Sequence, residues 1–137
     1  MSESAATTTT ATTADVIARF NYAFLMHDPE LLTDLVAEDC VMVSVQPAPD
    51  GTRYEGRDAC LTFWQELAAD ENIDFAPEDV HVYGDRAVIK WRVSFGAGEA
   101  NEVFGDAHAE STGVAGVNLM HIRDGRIVEA LGYSKSP

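Results

Sequence analysis

The groups in this sequence able to do chemistry are an amide set in an apolar strand, four histidines and a few tyrosines. The amide is Asn118, within GVNLMHIRDGRIVEALGY, residues 116–133. Asp124-Gly125 reads as a hairpin turn there, because a type I′ turn needs φ > 0 at both central positions. Strand alternation sets Asn118, Met120 and Ile122 on one face and Val117, Leu119 and His121 on the other. Both faces are mostly apolar, so both are expected to be covered. A covered amide left unpaired costs about 1–3 kcal/mol and needs a partner. That partner is either neighbouring backbone or Ser44, or a ligand carbonyl or hydroxyl that the amide orients. An amide donates and accepts but takes no proton at neutral pH, so its chemistry is orientation or oxyanion stabilisation.

His108 sits in DAHAE between Asp106 and Glu110. It is either a solvated loop histidine or a general base over a pocket mouth, with a carboxylate neighbour favouring its protonated form. The spacing fits no defined metal site. His27 ends the first helix, where its cationic form would meet the helix dipole. His81 has no functional case. Tyr22 and Tyr54 carry hydroxyls whose direction the pattern leaves open. Asp15, Glu30, Asp34, Glu38 and Glu66 read as solvated helix faces or dipole complements. Cys40 and Cys60 sit in apolar patterns and read as buried free thiols in a reducing compartment.

With 137 residues, 46% of them hydrophobic, the chain is long enough for one domain with a real core. Its 23 acids against 9 bases give a formal charge of −14. Such a surface repels phosphate backbones and anionic lipid, so nucleic acid and membranes are not expected partners. A small neutral or weakly polar ligand is compatible. The opening MSESAATTTTATTAD lacks the apolar core of a secretion signal, and no run reaches the length of a membrane span. Residues 1–12 read as a disordered Thr-rich tail, residues 13–137 as the domain, and the compartment as cytoplasmic.

Thr12 or Thr13 can cap a helix with Val16, Ile17, Phe20, Ala23 and Phe24 at helical spacing. Asp28-Pro29 starts a second helix to about residue 37, presenting Leu31, Leu32, Leu35 and Val36. CVMVSVQ, 40–46, reads as a strand and 47–51 as a loop. A third helix runs over about 57–69 with Cys60, Phe63, Trp64 and Leu67 on one side. Strands at roughly 79–83 and 87–95 flank Gly84-Asp85, with Ala87, Ile89, Trp91, Val93 and Phe95 alternating onto one face. Residues 96–113 form a long Gly-rich, acidic connection before the final hairpin. The order α-α-β-α-β-β-β-β implies an α+β cone, three N-terminal helices packed on a curved, antiparallel-rich sheet that encloses a pocket.

LLTDLVAEDCVMVSV, YEGRDACLTFWQEL, DVHVYGDRAVIKWRV and VAGVNLMHIRDGRIVEALGYSK resemble the SnoaL-like branch of the NTF2-like superfamily, over about residues 15–135. That superfamily includes ketosteroid isomerases, polyketide cyclases, epoxide hydrolases and dehydratases, so the resemblance implies a fold before a reaction. The isomerase general-base Asp falls at Ser44, its oxyanion Tyr near Phe20 and its partner acid at Asn118. The epoxide hydrolase Asp-Arg-Asp positions fall at Gly116, Asn118 and Gly132. Where cyclases carry His and Asp after the Glu of the last strand, Glu129 here is followed by Ala130, Leu131 and Gly132.

The resemblance implies a pocket lined by Phe20, Phe24, Met42, Ser44, Tyr54, Phe63 and Trp64 from the first half of the chain. Trp91, Val93, Phe95, Met120 and Ile122 complete it, with Asn118 and His108 as the catalytic candidates. It also implies a homodimer through the outer sheet face, with Val117, Leu119, His121, Leu131 and Tyr133 in the interface. The expected ligand is a small hydrophobic cyclic molecule, handled by a cofactor-independent cyclase, isomerase or dehydratase of secondary metabolism with no metal site. The alternative is a non-catalytic binding or accessory protein whose acid–base residues are lost. A pure dimerisation scaffold would follow if Trp91, Phe95 and Met120 met and filled the cavity.

Overall fold

A computed structural model of the chain describes residues 12–47, 49–95 and 113–135. Thr12 caps α1 (Thr13–Leu25) with a capping box: its hydroxyl accepts from the Asp15 N–H over 3.1 Å, and the Asp15 carboxylate accepts from the Thr12 N–H over 3.3 Å. A cap of this kind stabilises a helix by about 1 kcal/mol. The expected stripe of Val16, Ile17, Phe20, Ala23 and Phe24 is buried.

The expected second helix is absent. Pro29–Leu32 form a single 3₁₀ turn, and the chain is already a strand, β1, over Val36–Val43. Leu32, Leu35 and Val36 are buried as the pattern required. A turn followed by a strand buries them as well as a helix would, and it frees backbone for the sheet: Leu35 accepts from the Ile127 N–H, and Val36 pairs with Ile127. Two α-helices therefore cover the sheet where three were expected. A short strand β2 (Arg53–Glu55) follows the loop, then α2 (Arg57–Ala69).

The remaining strands are β3 (Ile73–Tyr83), β4 (Arg86–Phe95), β5 (Gly113–Arg123) and β6 (Arg126–Ser134). They form one six-stranded sheet in the order β2-β1-β6-β5-β4-β3, with β1 and β6 parallel and every other pair antiparallel. β3 begins six residues earlier than the pattern of 79–83 suggested, and it contains Pro77. It lies at the sheet edge, where a proline removes no ladder bond the fold needs, and the ladder bulges between Pro77 and Asp79. The hairpin at Asp124-Gly125 is present, with φ of 53° and 76°.

One sheet face carries Ala87, Ile89, Trp91, Val93, Met120, Ile122 and Ala130 into the core with the apolar stripes of both helices. The opposite face leaves Leu119 and Tyr133 exposed, at 40% and 55%. No helix among the described residues is long and apolar enough to cross a membrane. The N-terminal tail and the 96–112 connection with Asp106, His108 and Glu110 lie outside the described residues, as does the side chain of Phe95.

Candidate functional site

Between the helices and the sheet lies a cavity of about 70 Å³. Its walls are a run of rings in contact. Trp64 meets Phe20 edge-on at 5.2 Å, Phe20 packs on Phe24 at 5.0 Å, Phe24 on Phe75 at 5.3 Å, and Phe75 on Trp91 at 6.2 Å. Met42, Ser44, Phe63 and Val93 also line it, so these four join Phe20, Phe24, Trp64, Trp91 and Asn118 among the residues expected there. A larger space of about 510 Å³ lies elsewhere, among Thr33, Asp39, Arg57 and Arg123. It is an outer groove whose Arg123 and Asp39 already pair at 2.8 Å. The smaller, apolar space is the candidate site.

Met120 and Ile122 do not reach the cavity. They follow Asn118 on the same face of β5 but are 2% and 4% exposed in the core, away from the cavity wall. Tyr54 does not line it either: its ring packs on Phe63 at 4.9 Å. Trp91 and Met120 are both buried, and the cavity remains beside Trp91, so those two do not fill it.

The polar geometry centres on Asn118. Its Oδ1 accepts from the indole Nε1–H of Trp91 over 3.1 Å. The expected partners, backbone or Ser44, are replaced by this one. The indole nitrogen only donates, so the amide oxygen must be the atom facing it, and the NH₂ is turned elsewhere. Two glycines make the arrangement possible. Trp91 pairs with Gly116 across the β4–β5 ladder, and a Cβ at 116 would come within 2.5 Å of the indole Cζ2. Gly132 pairs with Asn118 across β5–β6, where a Cβ would sit 3.3 Å from Oδ1. A glycine inside a strand often marks such a close approach, and that signal was readable at both positions.

Ser44 is tied into its own loop. Its hydroxyl donates to the Gln46 carbonyl over 2.9 Å and accepts from the Thr52 N–H over 3.3 Å. It offers the cavity little donor capacity.

The sequence places His27 at the end of the first helix as a complement to the helix dipole, and the structure puts it on the cavity wall. The C-terminus of α1 closes in a Schellman motif: the Asp28 N–H reaches the Ala23 carbonyl and the His27 N–H the Phe24 carbonyl. His27 holds the left-handed position of that motif with φ 53°, a place usually taken by glycine. Its Nδ1 lies 3.0 Å from the Ala68 carbonyl oxygen at the end of α2. Its Nε2 lies 3.7 Å from Asp74 Oδ1 on β3, with the imidazole 24% exposed. Phe75, Ile73, Leu67, Val43, Val45 and Ala130 were also missed. Ile73 and Phe75 were lost with the unrecognised start of β3.

On the outer face, His121 Nε2 meets Asp85 Oδ2 at 3.0 Å. The two faces of β5 thus give their polar groups different partners, an indole inside and a carboxylate outside. Cys40 and Cys60 are free and fully buried, and the Cys60 thiol donates to the Cys40 carbonyl at 3.6 Å. Burial pushes both thiols above their usual pKa. Among the described residues no three His, Cys, Asp or Glu side chains gather as a metal site. Nor does any carboxylate of the described residues line the cavity.

No curated protein sequence matches the chain. Among solved structures, an NTF2-like protein of Mesorhizobium loti is 44% identical, with 90% of this chain and 91% of that one covered at a TM-score of 0.76. A candidate polyketide cyclase of Sinorhizobium meliloti is 22% identical, covering 86% and 93% at a TM-score of 0.65. A candidate ketosteroid isomerase of Kribbella flavida is 17% identical, covering 93% and 82% at a TM-score of 0.70. The last two likenesses show the fold alone. The SnoaL-like domain family matches residues 17–130, nearly the whole folded span, and the chain belongs to that family.

Proposed function

We propose that this protein binds a small hydrophobic cyclic molecule, with a carbonyl or hydroxyl oxygen of the ligand held by the Asn118 amide. The reaction class is that of a cofactor-independent cyclase, isomerase or dehydratase. One observation carries the reading: Trp91 fixes the amide oxygen, which leaves the NH₂ as a donor in a mostly apolar, aromatic cavity. A donor there stabilises negative charge developing on a ligand oxygen more strongly than it would in water. Ligand pockets commonly span about 300–1,000 Å³, and this one holds about 70 Å³. A ligand of one or two rings therefore enters by displacing rim side chains such as Phe63 and Leu67, both half-buried. A fused four-ring skeleton fits poorly.

A second reading is favoured by the absence of any carboxylate among the described lining residues. On that reading the protein binds the same class of molecule without turning it over. For its assembly, we propose a homodimer through the outer sheet face. The cross-strand pairs Leu119–Leu131 and Val117–Tyr133 put apolar side chains on the face the helices leave uncovered.

The test is a thermal-shift panel of bicyclic ketones and phenols, monoterpenoids, lactones and steroids against wild type and Asn118→Leu. A ligand at one hundred times its Kd adds about 2.7 kcal/mol to stability. The expected result is a shift by small cyclic ketones or phenols that Asn118→Leu abolishes. A panel without any shift, or a shift indifferent to Asn118→Leu, sinks the reading.

A further inference from the structure

We infer that His27 is the acid–base residue of this cavity, acting on a carbonyl compound held by the Asn118 amide. The inference rests on the binding reading above and adds the proton-transfer group that reading lacks. Among the described residues lining the cavity, His27 is the one that carries an imidazole, and no carboxylate, amine, phenol or thiol stands beside it there.

Three features of its setting exceed what a helix stop requires. The first is the backbone. His27 holds φ 53°, and glycine would end α1 there without the strain that a Cβ brings. Histidine in this place is a local sacrifice of the sort found at functional positions.

The second is the clamp on the ring. A carbonyl oxygen only accepts, so the 3.0 Å contact with Ala68 requires the proton to be on Nδ1. In the neutral ring Nε2 is then the unprotonated, basic nitrogen. The bond also fixes the ring plane from α2, an element other than its own, which orients the base as an active site demands.

The third is the surrounding charge. Asp74 faces Nε2 from β3 at 3.7 Å and offers a counter-charge once that nitrogen is protonated. From α2 the group facing the ring is the neutral Ala68 carbonyl.

The chemistry this permits is a proton shift. Nε2 takes a proton from the carbon next to the bound carbonyl. The C–H electron pair becomes the new C=C bond, and the C=O π pair moves onto oxygen, where an Asn118 N–H holds the enolate. The imidazolium returns the proton to that carbon or to another position of the conjugated system. Nothing is oxidised or reduced, and His27 ends as it began.

The probe is 2-tetralone in D₂O, a bicyclic ketone whose α protons exchange through its enolate. Exchange at those carbons is followed by NMR with wild type, His27→Asn, His27→Gly and Asn118→Leu. Asparagine tolerates the left-handed backbone and cannot take the proton, and glycine relieves the strain outright. Binding of 2-tetralone is read separately as a Tm shift. The expected result is binding in wild type and both His27 variants, with exchange slowed roughly 100-fold in each. Long-range ¹⁵N–¹H spectra of neutral His27 should show the proton on Nδ1.

Exchange as fast in His27→Asn as in wild type, with binding intact, overturns the role of His27 and leaves the binding reading standing. A proton on Nε2 in the neutral ring overturns it too. Failure of 2-tetralone to shift the Tm of any variant removes the binding reading for ketones, and this inference with it.

Discussion

Trp91 lies directly across the β4–β5 ladder from Gly116, and its six-membered ring occupies the space a side chain there would fill. The tryptophan can lie along β5 because residue 116 has no Cβ, and in that position its Nε1–H reaches Asn118, two residues further along the same face. A Cβ at 116 would also stand 2.3 Å from the Tyr133 carbonyl oxygen, so relief by a rotamer change is blocked on the backbone side. Gly116→Ala should therefore destabilise the fold by about 1–3 kcal/mol, the usual range for overpacking. For a domain of this size that lowers Tm by on the order of 3–12 °C. The tilt of the indole should appear as a change in intrinsic fluorescence. An unchanged Tm and spectrum would show that the ring does not depend on this glycine.

The donor role of the Asn118 amide separates two variants that a simple packing role would not. Asn118→Asp keeps an acceptor for the Trp91 N–H but replaces the NH₂ with a second acceptor. Asn118→Leu removes both functions. We expect Leu to cost about 1 kcal/mol through the lost hydrogen bond. We expect both variants to weaken binding of a small cyclic ketone by about tenfold or more, read by titration calorimetry. Full affinity in Asn118→Asp would mean that the ligand uses some other donor.

The outer face makes a prediction about assembly. Leu119 and Leu131 are partners across the β5–β6 ladder, and Leu119 is 40% exposed. If two copies meet there, Leu119→Glu buries a negative charge in the apolar contact between two already acidic chains. Sedimentation velocity should then give a dimer for wild type and a monomer for Leu119→Glu, with Tm falling as protein concentration is lowered for wild type only. A monomeric wild type would end the dimer proposal.

Where the sequence pattern was legible, one period explained the burial. Ala87, Ile89, Trp91 and Val93 alternate without interruption, and Val16, Ile17, Phe20 and Phe24 keep strict helical spacing; both elements stand as read. The pattern failed where two structures bury the same residues. Leu32, Leu35 and Val36 satisfy a helix, but they also satisfy a turn leading into a strand, and pairing with Ile127 decided for the strand. Ile73 and Phe75 went unread because an edge strand carrying acids and Pro77 has too few apolar positions to alternate clearly. At the site, alternation named the right face of β5 but not how far along it the cavity extends, so Asn118 lines it and Met120 and Ile122 do not. His27 was illegible for a different reason. Its orientation depends on a carbonyl 41 residues away and on a left-handed φ, and neither leaves a local trace beyond the stop at His-Asp-Pro.

The two buried thiols set a limit on alkaline stability. Burial is the largest cause raising Cys40 and Cys60, and at Cys40 the neighbouring Cys60 and the acids Asp39 and Glu129 add to it. In the unfolded chain both thiols ionise near the ordinary value of about 8.5. The folded protein retains those protons at higher pH, so above that value the unfolded state binds fewer protons and stability falls as pH rises. Below it both states are protonated and the thiols contribute no slope. Tm should therefore decline from about pH 8.5 upward, and Cys40→Ala should flatten the decline. The same burial predicts that iodoacetamide at pH 8 labels neither thiol in the folded protein and both in concentrated urea, as read by intact mass. Rapid labelling of Cys40 in the folded protein would mean that β1 opens locally, and the alkaline loss of stability would then need another source.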